Sequence, residues 1–83
     1  MSTKQKLIER FKTLPSDFTF DEVVRLFACY GFHISNKGGT SGSRVAFKRG
    51  EDEFDMHRPH PSNTIKQVYL RQIYYYLKQK HLL

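Results

Sequence analysis

Two short alternating runs on either side of a polar turn constrain this chain more than any other feature. In Ser43–Lys48, Val45 and Phe47 alternate with Arg44, Ala46 and Lys48; in Glu53–His57, Phe54 and Met56 alternate with Glu53, Asp55 and His57. A period of two marks strands that turn one face to a core and the other to water. Arg49-Gly50-Glu51-Asp52 between them reads as a hairpin turn. An even-length loop sets Val45 opposite Met56 and Phe47 opposite Phe54, which keeps the apolar residues together, whereas a slip of one residue would turn them all to solvent. The same register sets Arg44 opposite His57 on the polar face.

The elements that cover the apolar face flank this hairpin. Thr3 to Thr13 reads as a short helix with Leu7, Ile8, Phe11 and Leu14 on one side, ended by Pro15-Ser16-Asp17. Thr19-Phe20-Asp21-Glu22 has the form of a capping box and opens a second helix. There Phe20, Val23, Val24, Phe27 and Ala28 recur at helical spacing, and Gly31 supplies the stop. Phe32 to Asn36 makes a first strand, joined to the hairpin by the glycine-rich Lys37–Ser43. A last helix is predicted over Thr64–Lys80, with Thr64 and Gln67 at capping-box spacing and Ile65, Val68, Tyr69, Ile73, Tyr76 and Leu77 as its apolar side. The expected fold is an α+β two-layer sandwich of order α-α-β-β-β-α, a three-stranded antiparallel sheet with helices on one face.

Charge narrows the function. Fourteen Lys and Arg against eight Asp and Glu give a net charge of +6 on 83 residues, enough for one domain. Such an excess favours a polyanionic partner, of which nucleic acid is the commonest. No segment is both strongly basic and strongly amphipathic, so a membrane surface is the weaker expectation. Neither a transmembrane-length apolar run nor a signal-peptide segment is evident, and a cytoplasmic protein is expected. The single Cys29 cannot form an internal disulfide and reads as a small buried residue of a helical stripe. Gly38, Gly39 and Gly42 lack the strand–loop–helix context of a nucleotide-binding fingerprint, and no cofactor is expected.

The chemistry concentrates in His57-Arg58-Pro59-His60-Pro61. Histidine gives and takes protons near neutral pH. The prolines fix their own φ and hold Arg58 and His60 extended. Asp55, two residues along the same face, is placed to orient His57 or raise its pKa. Metal-free RNA cleavage needs a base for the 2′-hydroxyl proton, an acid for the departing 5′-oxygen and a cation for the phosphate. His57, His60 and Arg44 are the candidates for these roles, and Lys37, Ser43, Lys48, Arg58 and Lys66 are candidate RNA contacts. Lys66 stands at the start of the last helix, where backbone N–H groups favour phosphate. A metal site is not expected, because His57 and His60 have no evident third ligand. The plainer alternatives stay open: His57 as an exposed strand residue, His60 as a turn residue, Arg44 and Lys48 as a solvated face. Tyr74-Tyr75-Tyr76 on a helix must point in different directions, so at least one is exposed.

These motifs together resemble a known family. Phe20 to Gly31 followed by Phe32, then Gly42-Ser43-Arg44 before a strand, then His57-Arg58-Pro59-His60-Pro61 and a helix, resemble the HicA toxin family of bacterial toxin–antitoxin systems. Lys6-Leu7-Ile8-Glu9 and Pro15-Ser16-Asp17-Phe18-Thr19 match a longer subtype, so residues 1–83 read as one HicA-like domain, 1–16 an N-terminal helical extension and linker and 17–83 the core. The resemblance implies a fold like the double-stranded-RNA-binding domain, ribonuclease activity on messenger RNA that inhibits translation, and neutralisation by a HicB-like antitoxin. Many relatives carry Gly-Ser-His where this chain has Gly42-Ser43-Arg44, and that His is their catalytic residue. Arginine stays protonated and cannot act as a general base. Either catalysis rests with His57 or His60 and Arg44 clamps the phosphate, or the chain is a non-catalytic RNA-binding or antitoxin-docking module.

Overall fold

The alternating runs pair in the expected register. A computed structural model describes residues 3–36, 44–59 and 62–83. The element order is α1 (Thr3–Lys12), α2 (Phe20–Cys29), β1 (His33–Asn36), β2 (Arg44–Arg49), β3 (Asp52–His57) and α3 (Gln67–Gln79). The strands form one antiparallel sheet in the order β1-β2-β3, with Val45 opposite Met56, Phe47 opposite Phe54 and Arg44 opposite His57. Gly50 sits in the turn at φ +59°, a conformation that glycine adopts without strain. Val45 and Phe47 are fully buried. Ala46 points the other way yet is also buried, a single methyl between Ser35 and Asp55 on the neighbouring strands. The chain is thus an α+β fold whose helices cover one face of the sheet.

Local chemistry sets the bounds of α2. The Thr19 hydroxyl accepts the Glu22 N–H at 3.2 Å, and the Glu22 carboxylate accepts the Thr19 N–H at 2.9 Å. At the other end Gly31, at φ +88°, donates to the Ala28 carbonyl, and the Phe32 N–H reaches back to the Phe27 carbonyl, each at 3.0 Å. That turn lays the Phe32 ring edge-on against Phe27, with centroids 5.1 Å apart. Phe27 also stacks on Phe47 at 4.3 Å and on Phe54 at 5.6 Å, joining helix to sheet. The buried arc of α2 is centred on Val23 and Phe27. It therefore takes in Leu26, while Ala28, expected inside, is exposed. Cys29 is free and only partly buried, beside the groove between α1 and α2.

Helix α1 buries Phe11 and rests Leu7 and Ile8 against the core. Arg10 clamps it to α2. Its Nε donates to Glu22 at 2.8 Å, a terminal nitrogen donates to the same carboxylate at 3.1 Å, and the other donates to Asp17 at 3.2 Å. The guanidinium lies 5.4 Å from the Phe18 ring centroid. Arg10 and the Thr19 N–H together hold the Glu22 carboxyl well below its ordinary range, at about 2.

The last helix begins later than its capping signal suggests. Thr64 and Gln67 do not form a capping box; α3 starts at Gln67 behind Lys66, which offers no side-chain cap. Burial of Ile65 is the reason. To seat Ile65 in the core, residues 63–65 run extended beside the start of α2, with Phe20 N–H to Asn63 at 2.9 Å and Ile65 N–H to Phe18 at 2.7 Å. The Thr64 hydroxyl pairs instead with Ser62, and the Gln67 amide donates to the Leu14 carbonyl. Within α3 the buried residues are Leu70, Ile73 and Leu77, whereas Val68 and Tyr69, expected on the apolar side, are half exposed. Its C-terminal end is tied to the hairpin, where Asp52 binds Lys80 at 2.8 Å and Arg49 at 3.0 Å.

Candidate active site

Because the helices pack on the Val45–Phe47 face of the sheet, the polar face of the hairpin is the uncovered one. Arg44 and His57 stand directly across from each other at one end of it, both exposed. Asp55 lies two residues back on the same face, opposite Ala46. Side chains facing each other across an antiparallel pair lie about 5 Å apart at Cβ. A single phosphate therefore spans the reach of both an arginine fork, suited to bidentate binding of its oxygens, and an imidazole.

Lys48, a candidate RNA contact on the same face, stands apart from Arg44, Asp55 and His57. Lys48 is four residues along β2 from Arg44, about 13 Å away. It faces Glu53 and meets that carboxylate at 3.8 Å, so part of its charge is answered within the protein. Lys48 marks the far end of the face.

His57 and Arg58 point to opposite sides. Pro59 holds Arg58 extended, so the alternation of β3 continues beyond the strand. The Arg58 guanidinium lies 5.5 Å from the Phe20 ring centroid, on the helix side, while its exposed position leaves it at the rim of a groove between β3 and α3. Lys66, the N-cap residue of α3, is exposed on the same groove, as is His57. The extended segment before α3 is what brings Lys66 here. Lys37, Ser43 and His60 lie outside the described residues. Among the described residues no three His, Cys, Asp or Glu side chains group as metal ligands.

Sequence reasoning missed Tyr69 and Gln72 as groove residues. The signal was present, since Ile65, Leu70, Ile73 and Leu77 alone make an apolar stripe for the core and leave Tyr69 beside it.

A family model described as the HicA toxin of bacterial toxin-antitoxin matches residues 20–82. The chain belongs to the HicA toxin family. The match begins at the first residue of α2 and runs past the end of α3, so it contains Arg44, Lys48, His57, Arg58 and Lys66 and leaves α1 outside. Family membership makes this chain a toxin of a toxin–antitoxin system. No curated protein and no solved structure matches the chain.

Proposed function

We propose that this HicA-family protein is a metal-independent endoribonuclease that cleaves messenger RNA in the cytoplasm and is neutralised by a HicB-like antitoxin. The observation that carries the reading is the exposed Arg44–His57 pair, in a basic chain of a toxin family. In the proposed reaction the RNA 2′-oxygen attacks the adjacent phosphorus and the bond to the 5′-oxygen breaks. A cyclic phosphate and a free 5′-hydroxyl result. An imidazole takes the 2′-hydroxyl proton and an acid protonates the departing oxygen. His57 fills one of these roles, with His60 the candidate for the other. Arg44 stabilises the charge that builds on the phosphate oxygens. RNA selectivity follows, since DNA has no 2′-hydroxyl to attack.

Incubating pure protein with a long RNA tests the reading. Discrete, dose-dependent fragments are expected, with a loss of about 10²–10⁴ in rate for His57→Ala. Undiminished cleavage and toxicity in His57→Ala, His60→Ala and the double variant would refute the assignment. The family resemblance suggests a second reading, because it sets Arg44 where many relatives are expected to carry a catalytic His. In that case the same face binds RNA without cutting it, and the assay gives a salt-sensitive gel shift with intact RNA.

A further inference from the structure

The groove between the edge strand β3 and the first turns of α3 has a volume of about 420 Å³. That is at the small end of the range of sites that enclose a small ligand, roughly 300–1,000 Å³. It is too small for a helix or a duplex and adequate for one nucleotide. Its apolar lining comes from Met56, Ile65 and Ile73. Ile65 and Ile73 are buried, so these groups form its base. Tyr69 also lines it, with half of its surface exposed, although the core side of α3 is filled without it by Leu70, Ile73 and Leu77.

Polar chemistry is added at defined places. Lys66, Tyr69 and Gln72 are three residues apart and share one side of α3. The Gln72 carboxamide carries both donors and an acceptor, the complement needed to read a base edge. Lys66 and Arg58 line the groove as cations, with Asp55 as its carboxylate. An aromatic ring beside an aliphatic base, a carboxamide and a cationic surround are the features that bind an unpaired nucleotide. A simple hydrophobe would not call for the cations. His57 belongs both to this groove and to the pair with Arg44, so a base seated here lies next to the phosphate held on the open face.

We infer that the groove between β3 and α3 is a base-binding subsite, in which one unpaired base of the RNA stacks on Tyr69 and is read by Gln72. The inference rests on the ribonuclease reading and extends it, because the subsite sets the sequence preference of cleavage. The test uses pentaribonucleotides with A, U, C or G at the centre. Their affinity is measured on the full chain carrying His57→Ala, and their cleavage on the chain with His57 intact. Added Tyr69→Ala should weaken binding about 5- to 150-fold, the loss of one base stack. Tyr69→Phe, which keeps the ring, should stay within about threefold of the parent. Gln72→Ala should flatten the preference among the four oligonucleotides. Thermal melting of each variant confirms folding, which half-exposed Tyr69 is not needed to maintain.

If the parent cleaves RNA with a base preference that Tyr69→Ala and Gln72→Ala leave untouched, the subsite inference falls and the nuclease reading stands. If nothing is cleaved but binding depends on the Tyr69 ring, the subsite stands and the nuclease reading falls. Loss of binding to the purified antitoxin by Tyr69→Ala, with RNA affinity unchanged, would make the groove a protein-docking site and overturn the inference.

Discussion

Replacing Glu22 by Gln probes the contact that fastens α1 to the family core. The carboxylate takes two hydrogen bonds from Arg10 and one from the Thr19 N–H, and is held at about 2 against an ordinary 4.5. Taken whole, that difference is about 3 kcal/mol of folding stability at neutral pH. The Arg10 side chain is 37% exposed, so solvent screens the pair. We therefore expect about 1–2 kcal/mol for Glu22→Gln, which keeps an oxygen for Thr19 and loses the charge. For a domain of this size the melting temperature should fall by roughly 5–15 °C. The folded-state value is the lower one, so the contribution is fully present above the unfolded value. It is lost as pH falls from about 4.5 towards 2. Urea unfolding of parent and variant, followed by circular dichroism at pH 6 and pH 3, measures the gap. It should shrink by more than half at the lower pH. A gap that stays constant with pH, or no gap at pH 6, would refute the reasoning.

Phe27→Ala should destabilise the domain by about 3–5 kcal/mol in urea titrations. Three rings converge on that side chain, and the pocket they form cannot collapse without moving α2 from the sheet. Arg44→Ala should slow cleavage by about 10²–10³ if the guanidinium stabilises the phosphate in the transition state. It should also reduce the salt dependence of RNA binding by about one phosphate contact. Unchanged rate and salt slope would remove Arg44 from the site. Cleavage should persist in EDTA; a loss restored by one divalent ion would replace the two-histidine scheme with metal chemistry.

Contacts at both ends of α3 fix where it lies beside the hairpin. The extended run from Asn63 to Ile65 is held by Phe18 and Phe20 at the entry to α2 and carries Lys66 to the groove that His57 also lines, and Asp52 ties the far end of α3 to the hairpin turn. The Arg44–His57 face thus sits on the hairpin, while the groove beside it depends on how α3 is docked.

The hairpin and its register were legible in the sequence because two alternating runs admit one pairing that puts Val45, Phe47, Phe54 and Met56 on one face. The opposition of Arg44 and His57 follows from that pairing without reference to the rest of the chain. The same holds for the start and stop of α2, where Thr19, Glu22 and Gly31 act within a few residues of one another. Capping-box spacing at Thr64 and Gln67 failed because burying Ile65 against Phe18 and Phe20 outweighs a cap, and that competition lies between segments more than forty residues apart. Only tertiary structure decided that Leu70 enters the core while Tyr69 stays half exposed, and that Arg58 turns to Phe20. Local patterns act through bonds between near neighbours and can be read in order. The groove beside His57 exists because a strand edge and a helix meet across the core, and its shape is a property of their packing.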